Sequence, residues 1–116
     1  MTSALTKKHC QPCEGKTKPI AVREATDLLN NIPGWQIDQT GKSISREWIT
    51  KNFITAVEFI NKVVQIAEAE NHHPDIHLTG YRKLRIELST HAIGGLSEND
   101  FIVAALINEL PIKLKK

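Results

Sequence analysis

The sequence predicts an α+β fold with two layers, a four-stranded antiparallel sheet and helices on one face of it. Three observations support this prediction. First, segments whose apolar residues recur every three or four positions alternate with segments in which every second residue is apolar. Second, the segments of the latter kind come in pairs joined by short turns. Third, no repeat or long linker interrupts the series. The order of helix, two strands, helix, two strands and helix favours antiparallel pairing with the helices packed on one side.

The first half of the chain contains a short helix, a hairpin and the longest helix. Residues 21–32 place apolar side chains at helical spacing until Pro-Gly-Trp ends the pattern. Ile37 precedes a Thr-Gly turn, and an alternating stretch over 44–48 follows it, as in a β-hairpin. Apolar residues then recur at helical spacing over 53–70, with Asn52 in position to cap this helix.

The two later strands follow a proline. Pro74 disfavours a helical backbone at His73, so the long helix should end before the histidines and the chain should run extended over 75–79. Gly80 then permits a turn. Residues 83–89, KLRIELS, alternate between apolar and polar side chains, which is the clearest strand pattern in the sequence.

The last helix has a recognisable start. Ser97 and Asp100, three residues apart, resemble a capping box that opens the apolar segment 101–110, and Pro111 ends the helix. With 116 residues the chain has room for one domain and is too short for two. We therefore assign residues 21–116 to a single folded domain.

Residues 1–20 are predicted to form a flexible N-terminal arm, because their second half is rich in Gly, Lys, Thr and Pro. Within the arm, Cys10 and Cys13 form a CxxC pair next to His9, which could be half of a zinc site. The sequence has no second cysteine pair, and no strand and helix follow that would make a thioredoxin motif. Reduced thiols on a mobile arm are the favoured interpretation, and metal binding or redox chemistry is the alternative.

Composition and charge narrow the class of protein. The hydrophobic fraction is 41% and the charged fraction 24%, as in ordinary globular domains, and a formal charge of +2 is too small to indicate nucleic-acid binding without a clustered basic face. The final KLKK is expected to be a solvated tail. No apolar run reaches the roughly 18 residues of a membrane span, and the N-terminus lacks the apolar core of a signal peptide. We expect a cytoplasmic protein with no membrane partner and no direct nucleic-acid partner.

Histidines are concentrated in one segment, AENHHPDIH at 69–77, which holds three of the five in the chain. His73 and His77 have the spacing of a helical metal pair, but Pro74 makes the segment extended and spreads them along a strand. A metal site completed by distant ligands is the weaker alternative, and we assign no metal. A plain surface role is the other alternative for any single histidine.

The predicted fold gathers several polar residues at the ends of its elements. They lie at the end of the long helix, at its exit, at the end of the strongest strand and at the start of the last helix. Imidazoles, which titrate near neutral pH, can remove and deliver protons when carboxylates flank them. No activated serine or cysteine is evident, so acid and base chemistry without a covalent intermediate is the simplest prediction. The residues are Glu68, Asn71, His72, His73, His91 and Asp100.

The spacing of these residues closely resembles the signature of the pterin-4a-carbinolamine dehydratases, because several residue types agree at several intervals at once. The similarity extends to PGW, to NFITAVEFINKVVQIAE and to GGLSENDFIVAALI, so it covers nearly the whole chain apart from the first twenty or so residues. The residues that match the signature are Glu68, HHP at 72–74, Tyr81, His91 and Asp100.

The resemblance implies a fold and a reaction. Members of this family have an antiparallel four-stranded sheet backed by helices, and they assemble into dimers and tetramers. Their reaction is the loss of water from 4a-hydroxytetrahydropterin to give the quinonoid dihydropterin, which regenerates the pterin cofactor of aromatic amino acid hydroxylases. The pterin is then the substrate, and no metal or other cofactor is expected.

The resemblance also implies roles for individual residues. His72 and His91 are expected to transfer protons, and His73 is expected to bind and orient the pterin, with a share in proton transfer left open. Glu68 and Asp100 are expected to support an imidazole and fix its tautomer. For Asp100, helix capping alone is the alternative. The expected substrate-binding set is Asn71, His72, His73, Ser89, Thr90, His91 and Ala92.

Two positions depart from the vertebrate members of the family. Those members carry a tryptophan two residues after the proline, where this chain has Ile76, so aromatic packing on the pterin from that position is absent. The link from Pro74 to Tyr81 is one residue longer, and we expect Gly80 to absorb the extra residue. We assign His77 no catalytic role, and we expect Tyr81 to be a structural, half-buried aromatic at the start of a strand.

Two other functions stay open. Vertebrate relatives also act as a cofactor that stabilises dimers of a homeodomain transcription factor, so this chain could instead be a dimerisation cofactor or transcriptional coactivator. A related pterin enzyme linked to molybdenum cofactor metabolism is the second alternative, since the signature reports the acid and base groups and not the side chain at C6 of the pterin. We expect a homodimer or a homotetramer.

Overall fold

The computed structural model of the chain describes residues 4–7, 10 and 19–115. Its α-helices are α1 (Val22–Leu29), α2 (Phe53–Glu70) and α3 (Glu98–Asn108), and its strands are β1 (Gln36–Ile37), β2 (Ile44–Ile49), β3 (Asp75–Thr79) and β4 (Lys83–Leu88). The strands form one antiparallel sheet in the order β1-β2-β4-β3. The predicted α+β fold with a four-stranded antiparallel sheet is confirmed.

The sheet buries one of its faces in the core. In the pairing of β2 with β4, Ile44 lies opposite Leu88 and Trp48 opposite Leu84. Residues directly opposite each other point to the same side of a sheet, and these four side chains are buried together with Phe101 of α3. The residues that alternate with them form an outer face, which carries mostly polar side chains.

The long helix has the bounds that the sequence predicts. Asn52 caps it, because its side chain accepts the N–H of Thr55 at 2.9 Å and its own N–H is donated to the Thr55 hydroxyl at 3.0 Å. At the other end, Asn71 adopts a left-handed backbone and stops the helix directly before the histidines. This helix therefore delivers the histidine segment to a fixed point beside the sheet.

The other two helices differ from the prediction at one end. The first ends at Leu29, short of 32, because Asn31 and Ile32 donate their N–H groups to carbonyls three residues back and form a turn. The last begins at Glu98 rather than at 101, directly behind the predicted cap Ser97. Within the described parts of the chain, none of the helices is both long and apolar enough to span a bilayer.

The N-terminal arm differs from the prediction where the structure describes it. Leu5 lies in a short 3-10 helix that contacts α3, and its side chain is buried in the core. Cys10 donates its N–H to the Glu70 carboxylate at 2.7 Å. The arm is thus packed at these points, because one apolar side chain suffices to anchor a segment whose composition is otherwise polar. His9 and Cys13 lie outside the described residues.

Candidate active site

The end of α2 turns two consecutive histidines in different directions. Asn71 has φ +52° and ψ +42°, a left-handed conformation that asparagine tolerates better than most residues. The N–H of His72 is donated to the Ala67 carbonyl at 3.1 Å, and after Pro74 the chain continues into β3. As a result the His72 side chain is 12% exposed, whereas that of His73 is 58% exposed.

A buried carboxylate holds His72. The imidazole Nε2 lies 2.6 Å from Oδ1 of Asp100, whose side chain is fully buried in the first turn of α3. An ionised carboxylate can only accept hydrogen bonds, so the ring donates from Nε2. In the neutral imidazole Nδ1 then carries no proton and is available as a base.

The second oxygen of the Asp100 carboxylate also accepts hydrogen bonds. Oδ2 of Asp100 accepts the Thr90 hydroxyl at 2.9 Å and the Ser97 N–H at 2.9 Å. The hydroxyls of Thr90 and Ser97 lie 2.8 Å apart and form a further hydrogen bond. A buried charge is costly unless its hydrogen bonds are made, and here three donors compensate it. The loop after β4 and the start of α3 therefore fix the position of His72.

His73 has a different kind of partner. Its Nε2 lies 2.6 Å from Oε2 of Glu68, and the Glu68 side chain is 70% exposed. Neither residue has a further hydrogen bond to a side chain among those the structure describes. Exposed pairs of this kind contribute little to stability, because water and salt screen them. The pair can orient His73, but it leaves the imidazole in contact with solvent.

A cleft of about 340 Å³ opens between the end of α2, the end of β4 and the start of α3. Two histidines reach it from the end of α2, and His91 reaches it from the short 3-10 turn that follows β4. The fold thus gathers three imidazoles that are separated in the sequence. The residues that line the cleft are Asn71, His72, His73, Ser89, Thr90, His91, Ala92 and Asn99.

Every residue of the expected substrate-binding set lies in this cleft. Glu68 and Asp100 are not part of its lining, and they contact His73 and His72 from outside it. Asn99 is the lining residue that sequence reasoning missed. The sequence does contain a signal for this residue, because Asn99 directly precedes Asp100 in the first turn of a helix. Neighbouring residues in that turn reach the same edge of the fold.

His77 and Tyr81, which follow the histidine pair in the sequence, lie away from the cleft. His77 is on the outer face of the sheet, with Nε2 3.3 Å from the Glu87 carboxylate, so it does not pair with His73. The expectation that Tyr81 is half buried is wrong: it is exposed in the turn after β3 with φ +58°, and the Arg82 guanidinium lies 5.3 Å from its ring. Among the described residues, no three His, Cys, Asp or Glu side chains are grouped so as to hold a metal ion.

Comparison with known sequences shows one family. The family described as Pterin 4 alpha carbinolamine dehydratase matches residues 18–110. The protein named "Pterin-4-alpha-carbinolamine dehydratase 2, mitochondrial" of Arabidopsis thaliana is 45% identical over 112 residues, which are 94% of this chain and 60% of the plant protein. A protein of Nitrosospira multiformis that bears the provisional name of a pterin-4-alpha-carbinolamine dehydratase is 47% identical over 106 residues, which cover 91% of each chain.

Solved structures show the same relationship. A Brucella melitensis protein described as a transcriptional coactivator/pterin dehydratase is 28% identical, with a TM-score of 0.73 over 78% of this chain and 96% of that one. A pterin dehydratase-like protein described as a RuBisCO assembly factor in the α-carboxysome shares the fold alone, at 16% identity and a TM-score of 0.56 over 67% of this chain and 89% of that one. From the sequence matches over most of its length, the chain belongs to the pterin-4-alpha-carbinolamine dehydratase family.

Proposed function

We propose that the chain is a hydro-lyase that removes water from 4a-hydroxytetrahydropterin to give the quinonoid dihydropterin, and so recycles the pterin cofactor of aromatic amino acid hydroxylases. The observation that carries the proposal is the cleft that gathers His72, His73 and His91, with His72 held on a buried carboxylate. Family membership supports the reaction class, since the related proteins are named for this activity.

The elimination needs one base and one acid. A base removes the proton from N5 of the ring, a double bond forms between N5 and C4a, and the 4a-hydroxyl leaves as water after an acid has protonated it. We assign the base to Nδ1 of His72, because Asp100 accepts a hydrogen bond from the Nε2–H of this ring and stabilises the imidazolium that forms. We assign the acid to His91, which reaches the cleft from another element and is exposed, so it can recover its proton from water.

The remaining residues of the cleft bind the ring. His73 orients the pterin, and its exposure to solvent also allows it to exchange protons. Residues 89–92 line the same cleft, and their backbone groups can form hydrogen bonds with the planar ring. Because two imidazoles complete the proton balance, the proposed reaction requires neither a metal nor a nucleotide cofactor.

We also propose that the chain works as a homodimer or homotetramer in the cytoplasm. The support for an oligomer is the surface of α2, where Phe53, Ile54 and Val64 are large apolar side chains exposed to solvent. A helix surface that exposes several large apolar side chains favours association. Light scattering after gel filtration measures the mass, and a monomer at micromolar concentration would contradict the proposed oligomer.

The decisive experiment is a rapid-mixing assay on synthetic 4a-hydroxytetrahydropterin from about pH 5 to about pH 9, the range in which imidazoles titrate. We expect acceleration over the spontaneous reaction and a loss of about 10²-fold in each of the variants His72→Ala and His91→Ala. His77→Ala is the matched control, because that histidine lies on the outer face of the sheet. No acceleration by the wild-type protein, or an equal loss in the control, would refute the proposal.

Two alternative functions can be distinguished from the proposed one by experiment. A role as a protein-binding coactivator would be favoured if a regulatory protein were recovered with the chain while the pterin assay showed no activity. A pterin enzyme linked to molybdenum cofactor metabolism would be favoured if the rate on the test compound were low and rose with a different side chain at C6.

A further inference from the structure

The C-terminal residues extend the sheet at the end farthest from the candidate active site. The N–H of Lys51 is donated to the Lys113 carbonyl at 2.9 Å, and the N–H of Lys115 is donated to the Ile49 carbonyl at 2.9 Å. Thr50 and Leu114 form the bridge between these two bonds. The expected solvated tail is therefore paired with the end of β2 as far as Lys115.

This pairing brings like charges together. Lys51 and Lys113 are direct cross-strand neighbours, and Lys83 and Lys115 lie on either side of Ile49. Directly opposite side chains have Cβ atoms about 5 Å apart, and like charges there destabilise a sheet. Lys83 and Lys115 are about two strand spacings apart and add positive charge to the same face. An opposing charge from outside the fold would remove this repulsion.

The part of the chain that the structure describes supplies no such charge. Within the described residues, Lys51, Lys83, Lys113 and Lys115 form no ion pair, and the Arg82 guanidinium has no hydrogen-bond acceptor. The backbone of Arg82 is nevertheless fixed, because its carbonyl accepts the Thr50 N–H at 2.9 Å and the Thr50 hydroxyl at 3.2 Å. Its guanidinium therefore offers unused donors from a side chain whose backbone is held in place.

The five cations surround two adjoining concave surfaces. One is a cleft of about 640 Å³ lined by Lys51, Arg82, Lys113 and Lys115, together with Ile112 and Leu114. The other is a cleft of about 290 Å³ to which Arg82, Lys83 and Lys115 contribute. These volumes are comparable with those of small-molecule sites. A third of the fifteen basic residues is thus concentrated at one end of the sheet.

We propose that this basic cleft, defined by Lys51, Arg82, Lys83, Lys113 and Lys115, binds a small anion that carries two or more phosphate groups. A guanidinium can bind a phosphate through two parallel hydrogen bonds, and the lysines supply point charges around it. A compact anion fits better than a long polyanion, because the basic surface does not continue along the outer face. Glu47 lies opposite Arg85 in the next row, and Asp75 lies opposite Glu87 in the row after it.

The test uses inorganic tripolyphosphate, titrated into the full-length protein by calorimetry at physiological salt. We expect one molecule bound per chain and binding weakened roughly tenfold or more in the double variant Lys51→Ala/Lys113→Ala. Lys42→Ala is the matched control, since this exposed lysine lies in the turn between β1 and β2, away from the cleft. Its affinity should equal that of the wild type.

Thermal unfolding provides a second measurement that does not require the variant to bind. Tripolyphosphate should raise the Tm of the wild type and leave that of the double variant unchanged, while the double variant without ligand should be at least as stable as the wild type. ATP binding as tightly as tripolyphosphate would identify nucleotides as a source of the phosphate chain, and weaker binding would favour a free oligophosphate.

Three results would overturn the proposal. They are no heat of binding at millimolar tripolyphosphate, an equal loss of affinity in the Lys42→Ala control, and binding of a thymidine oligonucleotide under conditions in which tripolyphosphate does not bind. The last result would instead identify the cluster as a nucleic-acid surface. Because the cleft and the candidate active site lie at opposite ends of the sheet, none of these results depends on the pterin reaction.

Discussion

Two consecutive histidines of this chain each lie 2.6 Å from a carboxylate, and yet the two pairs differ in kind. His72 and Asp100 are 12% and 0% exposed, and the carboxylate accepts two further hydrogen bonds. His73 and Glu68 are 58% and 70% exposed. A short distance alone therefore does not measure the strength of such a pair, since burial decides how far water and salt screen it.

The difference arises from one backbone conformation. The left-handed Asn71 ends the helix between Glu68 and His72, so His72 turns toward the start of α3 while His73 stays beside the last turn of α2. The buried pair fixes a tautomer and the exposed pair only orients a ring. Variants of the two pairs should therefore have very different effects on the proposed dehydration.

The largest effect is expected from Asp100→Asn. The amide is neutral and can donate to Nε2 of His72, which would leave the proton on Nδ1 and remove the base that faces the pterin. We expect kcat to fall by up to about 10²-fold, as in His72→Ala, with little change in KM. Circular dichroism establishes that the variant is folded. A kcat within about threefold of the wild type would show that the carboxylate serves the helix cap alone.

A smaller effect is expected from Thr90→Val, which keeps the shape of the side chain and removes its hydroxyl. Asp100 then loses one donor and the Ser97 hydroxyl loses its partner, both in buried positions. We expect a loss of about 1–2 kcal/mol in the free energy of unfolding, read as a Tm lower by roughly 5–10 °C. Thr79→Val is the control, because that hydroxyl is exposed and its contact to the Lys83 carbonyl is 3.5 Å long. Equal Tm changes in the two variants would contradict a special role of the Thr90 hydroxyl.

The contrast between the two pairs also shows how much of the structure can be predicted from the sequence. The helix over 53–70, its cap and the strand predicted over 83–89 follow from local periodicity, and the structure has the helix and its cap as predicted and the strand over 83–88. The residues of the cleft were expected from a resemblance in spacing, and they do lie together. What was missed depends on contacts between distant parts of the chain.

The hydrogen bond from Thr90 to Asp100 spans a loop whose path no local pattern specifies. The burial of Leu5 and the pairing of Lys113 with Lys51 are likewise contacts between a terminus and an element far away in the sequence. The composition of both termini predicts that they are solvated. It cannot indicate these contacts, because a single apolar side chain or a single backbone pairing does not change the composition of a segment.

The smallest effect is expected from Glu68→Gln. Because the pair with His73 is exposed, its contribution is of the order of 0.2–1 kcal/mol, and we expect KM for the pterin to rise by about two- to threefold with kcat unchanged. Sodium chloride at about 0.5 M should reproduce this change in the wild type and add nothing in the variant, since salt already screens an exposed pair. The Asp100→Asn variant should retain its full loss at the same salt concentration. A fall in kcat upon Glu68→Gln as large as that of Asp100→Asn would mean that His73 takes part in proton transfer alongside His72.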